Sequence, residues 1–237
     1  SAFDAASNVI TVDATPTATK KSRYAIGLSG IPEATGVSMA TKYKYTSHKA
    51  IAEGLTPNTV YAYRVGTEGY WSEVAYFTTA PTNNPDASEE FTFIYMTDSH
   101  IQDQKYVNTA RVAATAAALN TPEAKFCVFP GDFVETGGNG NPEWEWERWF
   151  EEALRPVIKQ MPIVPTDGNH DDSNNLNYTY HFNTDNQFKE NTQVKPQFDG
   201  ITYSFMYGEV LFLVFSMQDY WKGSPNMSDL TCPYLTN

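Results

Sequence analysis

Three apolar runs, each ending in acidic, amide or imidazole side chains, constrain this chain more than any other feature. They are FTFIYMT (91–97), KFCVFP (125–130) and MPIVPT (161–166). Runs without polar alternation suit strands covered on both faces, as in a parallel sheet. Between the first two lies the Ala-rich segment YVNTARVAATAAALN (106–120), whose composition predicts a helix stopping at Asn120. Between the second and third lies NPEWEWERWFEEALRPV (141–157). There Asn141 can cap a helix, Pro142 suits its first position, and the early acids favour the N-terminal end of the dipole. Trp146, Trp149, Phe150, Ala153 and Val157 recur at helical spacing, a stripe better suited to core packing than to sugar binding. Strand, helix, strand, helix, strand describes an α/β layered domain. YSFMYGEVLFLVFS (203–216) adds two strands around a turn at Gly208.

Residues 1–80 differ in character, with strand-like segments separated by turn signals and no helical period. In GLTPNTVYAYRVG (54–66), Tyr61, Tyr63 and Val65 alternate with Val60, Ala62 and Arg64, the period of a half-buried strand. Leu55, Pro57, Thr59 and Tyr61 lead into it, and a Tyr so placed can fold its hydroxyl back onto the upstream backbone. The segment resembles the penultimate strands of fibronectin type III domains, and WSEVAYFTT (71–79) resembles their last strand. PTNNPDASEE (81–90) has nothing to bury and reads as a linker. The expected organisation is an all-β immunoglobulin- or fibronectin-like sandwich over 1–80, a linker over 81–90, and an α/β domain from 91 to 237.

Charge narrows the range of partners. A net charge of −12 over 237 residues argues against nucleic acid, which needs a basic face. It leaves room for a phosphate-bearing small molecule, since bound metal ions can invert the local field. No run approaches the roughly 20 apolar residues that span a bilayer. The first residues, SAFDAASNVI, lack a signal peptide's basic and apolar regions, which suits the start of a mature extracytoplasmic chain (secreted, periplasmic or cell-surface) or a cloning boundary. Of the two cysteines, Cys127 and Cys232, the first sits in an apolar run and reads as a core residue.

The chemistry is concentrated in three motifs at the strand ends: TDSH (97–100), GDFVETG (131–137) and DGNHD (167–171). Ligands of open α/β sheets bind at the carboxyl ends of strands, so three polar clusters there predict one site. Asp98 and His100, two apart on an extended chain, would face the same way and could grip one divalent ion. Asp132 follows a glycine that permits a tight turn, and its two oxygens could bridge two ions. Asn169 offers an amide oxygen, with His170 beside it to reach a substrate and Asp171 next in line as a further catalytic candidate. Each motif alone could be an ordinary polar turn; three in this order favour a metal site.

The series D-x-H, G-D-x-x-E and G-N-H-D resembles the calcineurin-like metallophosphoesterase superfamily over roughly residues 91–220, with an αββα layered catalytic domain. A fibronectin-like domain before it further resembles the purple acid phosphatase arrangement. The resemblance implies that Asp98 and His100 bind a first ion, Asp132 bridges and Asn169 binds a second. It implies that His170 contacts the phosphate or helps protonate the leaving group. Two ions, drawn from Fe, Mn and Zn, would activate water to hydrolyse a phosphomonoester. A phosphodiesterase of the same superfamily, or a non-catalytic surface or binding protein with an incomplete site, are the alternatives.

Two departures stand out. Purple enzymes place a Tyr three residues after the Asp of the second motif, where this chain has Glu135. The family also completes its site with a further His and a G-H-x-H motif, and neither occurs before Asn237. The catalytic domain is therefore expected to be incomplete at its C-terminus, with the rest supplied by a downstream segment or a second chain. His48 and His181 are the other histidines, and neither sits where the family places a ligand.

Overall fold

The computed structural model describes residues 15–23, 42–82, 90–135, 143–171, 178, 181–183, 201 and 203–216. In the N-terminal part these residues form three antiparallel pairs. β1 (Thr15–Arg23) pairs with β2 (Lys42–Lys49), β3 (Val60–Tyr63) with β6 (Ala75–Thr78), and the short β4 (Gly66–Thr67) with β5 (Tyr70–Trp71). The Tyr61 hydroxyl accepts the Thr56 N–H at 2.9 Å, the fold-back expected of that residue. Tyr61 also stacks on Phe77 across the β3–β6 pair.

The second part is built on a parallel sheet in the order β7 (Ile94–Tyr95), β8 (Cys127–Pro130), β9 (Ile163–Thr166). All three lie inside the apolar runs. Their side chains divide between two cores, as expected of strands covered on both sides. Ile94, Cys127 and Phe129 pack with Val107, Ala110 and Ala114 of α1 (Gln104–Asn120) and with Trp149 and Val157. Phe126 and Val164 pack on the other face, against Phe205 and Phe212 of the hairpin β10 (Tyr203–Tyr207) and β11 (Val210–Val214). Among the described residues the layers are thus helix, parallel sheet and hairpin. No helix among them is long and apolar enough to cross a membrane.

α1 ends at Asn120 as expected but begins earlier, because Asp103 accepts the N–H groups of Lys105 and Tyr106 at 2.8 and 3.1 Å. The second helix departs further from expectation. It runs as α2 (Glu143–Arg148), a π-helical turn (Trp149–Ala153) and α3 (Arg155–Ile158). Pro156 lacks an N–H and its ring would strike the carbonyl of residue 152, so an unbroken α-helix cannot pass this point. Trp146, Trp149, Ala153 and Val157 stay buried on one side across the break. Asn141 and Pro142, its expected start, and most of the 81–90 linker lie outside the described residues.

The two parts touch through an Arg155–Glu73 ion pair, a Lys49 ammonium on the Phe182 carbonyl, and a Tyr76 N–H 3.5 Å from the Lys159 carbonyl.

Candidate metal centre

Beyond the ends of β7 and β8 the chain loses strand geometry, but the two segments stay in register. The N–H groups of Asp98, His100 and Ile101 donate to the carbonyls of Gly131, Asp132 and Phe133 at 3.3, 3.0 and 3.2 Å. Asp98, His100 and Asp132 nevertheless have φ of 57°, 43° and 51°, the left-handed region. Non-glycine residues adopt it at roughly 1–2 kcal/mol each. Asp98 and His100 do share a side, but the extended backbone expected to achieve this is not what does it. Two left-handed residues turn them together, held by the neighbouring loop.

A close approach of two glycines brings the second motif against the third. A Cβ on Gly131 would lie 2.3 Å from the Gly168 nitrogen, and one on Gly168 would lie 2.1 Å from Asp132 Oδ1. No larger residue fits either position without displacing the other loop. Asp171 then clamps them. Its Oδ1 accepts the N–H groups of Phe133 at 2.9 Å and Val134 at 3.3 Å, and its Oδ2 accepts that of Gly168 at 2.8 Å. The side chain is fully buried and committed to backbone. Asp171, expected in a catalytic role, meets three backbone N–H groups here. Burial pushes its carboxyl up to about 8, with the Gly168 and Val134 hydrogen bonds pulling the other way.

Inside this frame the polar groups converge. His100 Nε2 lies 3.7 Å from Asp98 Oδ1 and 3.5 Å from Asp132 Oδ2, while its Nδ1 lies 2.8 Å from Glu135 Oε2. An ionised Glu135 only accepts, so Nδ1 carries the hydrogen and Nε2 of the neutral ring is a lone pair facing two carboxylate oxygens. Those separations are too long for good hydrogen bonds. Ligand atoms about 2.0–2.2 Å from one shared ion in a tetrahedral arrangement stand roughly 3.3–3.6 Å apart, a range that the Asp132 separation meets and the Asp98 separation slightly exceeds. His100, Asp132 and His170 form a group whose ligand atoms all lie within 4.8 Å of one another.

His170 sits edge-on to His100, the ring centroids 4.7 Å apart. Its N–H donates to Asp132 Oδ1 at 3.0 Å, and its Nδ1 lies 2.8 Å from the Glu135 carbonyl. Burial alone would lower its pKa, but the Glu135 carbonyl and the Glu135, Asp132 and Asp171 carboxylates outweigh that and hold it above the usual histidine value. Nε2 can therefore serve as a ligand when neutral or as a proton donor when charged. Asn169 is exposed next to it.

Other residues were not legible in the motifs. Ser99 donates to the Phe133 carbonyl at 2.8 Å and accepts from Trp149 Nε1 at 3.2 Å, tying the first motif to the buried helix. Glu145 accepts the Glu135 N–H at 3.1 Å. His181 stacks on Trp146 with centroids 4.5 Å apart, and His48 is exposed on β2; neither belongs to the metal-capable group.

Residues 91–228 match the calcineurin-like phosphoesterase family. Residues 4–79 match the N-terminal domain of purple acid phosphatases. Among solved structures, a purple acid phosphatase from yellow lupin (Lupinus luteus) seeds aligns with a TM-score of 0.53 at 17% identity. The alignment covers 87% of this chain and 37% of that one, so the chain spans little more than a third of the lupin protein's length. At that identity the likeness speaks to fold. No curated protein matches the chain.

Proposed function

The chain belongs to the calcineurin-like phosphoesterase family, and on that premise we propose that its three motifs build a two-metal centre that hydrolyses phosphomonoesters. The observation that carries this reading is the His100 ring nitrogen turned towards Asp98 and Asp132 at ligand-sharing distances. Asp98, His100 and Asp132 would hold a first ion, and Asp132 with Asn169 would hold a second. Bound ions of this kind, drawn from Fe, Mn or Zn, supply Lewis acidity towards phosphoryl oxygens and acidify water. The residues themselves do the positioning. His170, edge-on to His100 with the ring centroids 4.7 Å apart, would bind a phosphoryl oxygen or return a proton to the leaving alcohol. Asp98 and Asn169 are exposed, which suits a site open to substrate from solvent. The N-terminal part, a sandwich by its resemblance, supports the catalytic part through the contacts around Arg155 and Lys159.

The test is hydrolysis of p-nitrophenyl phosphate with added Mn, Fe or Zn, beside bis-p-nitrophenyl phosphate. It compares this chain, a longer one carrying the family's downstream histidine motifs, and Asp132→Asn in each. Asp132→Asn should lower turnover at least ~100-fold, about 2.7 kcal/mol of barrier. Preference for the diester would shift the substrate class. Hydrolysis indifferent to Asp132 in both lengths would sink the reading.

A further inference from the structure

Glu135 occupies the position three residues after Asp132, and it meets both histidines of the centre through different atoms. Its side-chain Oε2 lies 2.8 Å from His100 Nδ1, and its main-chain carbonyl oxygen lies 2.8 Å from His170 Nδ1. The carboxylate also stands 3.6 Å from His170 Nδ1. Both of the close atoms are acceptors when the carboxyl is ionised, so each imidazole must place its hydrogen on Nδ1. Nε2 is then the nitrogen left to coordinate or to carry a reactive proton. A histidine held the other way would present N–H to the carboxylates and exclude an ion.

The residue is itself held. Its N–H donates to Glu145 Oε2 at 3.1 Å and to the Ile101 carbonyl at 3.3 Å, and Glu145 is buried. Ile101 and Val134 form a parallel bridge immediately before it. The Glu135 backbone is thus fixed by the second motif's continuation of the sheet, and only its side chain is free to choose a partner.

We propose that Glu135 is a positioning residue that sets the ring tautomer of both histidines, His100 through its carboxylate and His170 through its carbonyl. The proposal rests on the metal-centre reading for its purpose but not for its test. Outer-shell partners of ligating histidines typically contribute 10- to 100-fold in metal affinity.

The separation of the two roles makes them distinguishable. In Glu135→Leu the carboxylate is lost but the carbonyl remains, so His100 should lose its preference while His170 keeps it. In Glu135→Gln an amide oxygen can still accept from His100, so the wild-type pattern should return. The experiment is nitrogen-15 NMR of the histidine rings in the metal-free chain, at a pH where the rings are neutral. It is paired with calorimetric titration of Zn or Mn. Expected are the Nδ1–H form of both rings in the wild type and in Glu135→Gln, with metal affinity within a few-fold. Glu135→Leu should show a mixed His100 tautomer, an unchanged His170, and a 10- to 100-fold weaker first ion.

An unaltered His100 in Glu135→Leu would overturn the proposal. So would loss of the Nδ1–H form of His100 in Glu135→Gln, which retains an acceptor. The expected ring pattern, with no phosphoesterase activity in this chain or in the longer one carrying the downstream histidine motifs, would leave Glu135's role standing and count against the functional reading alone.

Discussion

Replacing Asp171 tests whether the centre is held by a buried hydrogen-bond clamp. In Asp171→Ala the N–H groups of Phe133, Val134 and Gly168 lose their acceptor in a site closed to water. A buried donor left unsatisfied costs about 1–3 kcal/mol. Counting the longer Val134 bond at the low end, the total is about 3–7 kcal/mol, large for one substitution. Asp171→Asn is milder. One oxygen can still serve Phe133 and Val134, but the amide nitrogen then opposes the Gly168 N–H, at about 1–3 kcal/mol. Urea denaturation of the metal-free protein, followed by Trp fluorescence, reads these differences, and calorimetry reads metal binding alongside. Both variants should weaken metal binding, because the loops bearing Asp132 and His170 part. Protonation adds a pH signature. Burial pushes the folded carboxyl up to about 8, above its unfolded value, so the folded chain keeps a proton that the unfolded chain releases. Its contribution is full below about pH 4 and is lost as pH rises through about 8. The advantage of wild type over Asp171→Asn should therefore shrink with rising pH. An unfolding free energy for Asp171→Ala within about 0.5 kcal/mol of wild type would refute the clamp. Intact stability and metal affinity with abolished turnover would instead put Asp171 in the chemistry.

Gly168→Ala should cut metal affinity at least ~10-fold by calorimetry, because the new methyl would overlap Asp132 Oδ1 and nitrogen, at 2.1 and 2.4 Å. With Glu135 where purple enzymes carry their Tyr, iron-loaded protein should show no strong visible charge-transfer band; a purple sample would mean that another tyrosine reaches the ion. Burial pushes the Cys127 thiol up to about 12, so it should resist alkylation at pH 8 in the folded protein and react once denatured.

The layered α/β part was legible because burial on both faces writes itself locally, as unbroken apolar runs, and β7, β8 and β9 fall inside them. That the loops bearing the three motifs meet at one edge was legible for a related reason: strands in one parallel sheet must deliver their C-terminal loops to the same edge. The break at Trp149–Ala153 was half visible, since Pro156 forbids a regular helix but does not say how the turns before it relax.

Tertiary structure decided whatever depends on atoms far apart in the chain. Left-handed backbone at Asp98, His100 and Asp132 is costly in isolation, so no local preference announces it; it persists because paired loops overdetermine it. Asp171 reads in sequence as one more acid beside a histidine, and only the three N–H groups closing on it from two loops make it a clamp. Glu135 likewise looks like a substitution in a motif until both imidazoles are seen to rest on it. Residue type and order determined which acidic, amide and imidazole groups stand at the strand ends. Their protonation, orientation and separation came from packing, because each depends on partners that the chain brings near only when folded.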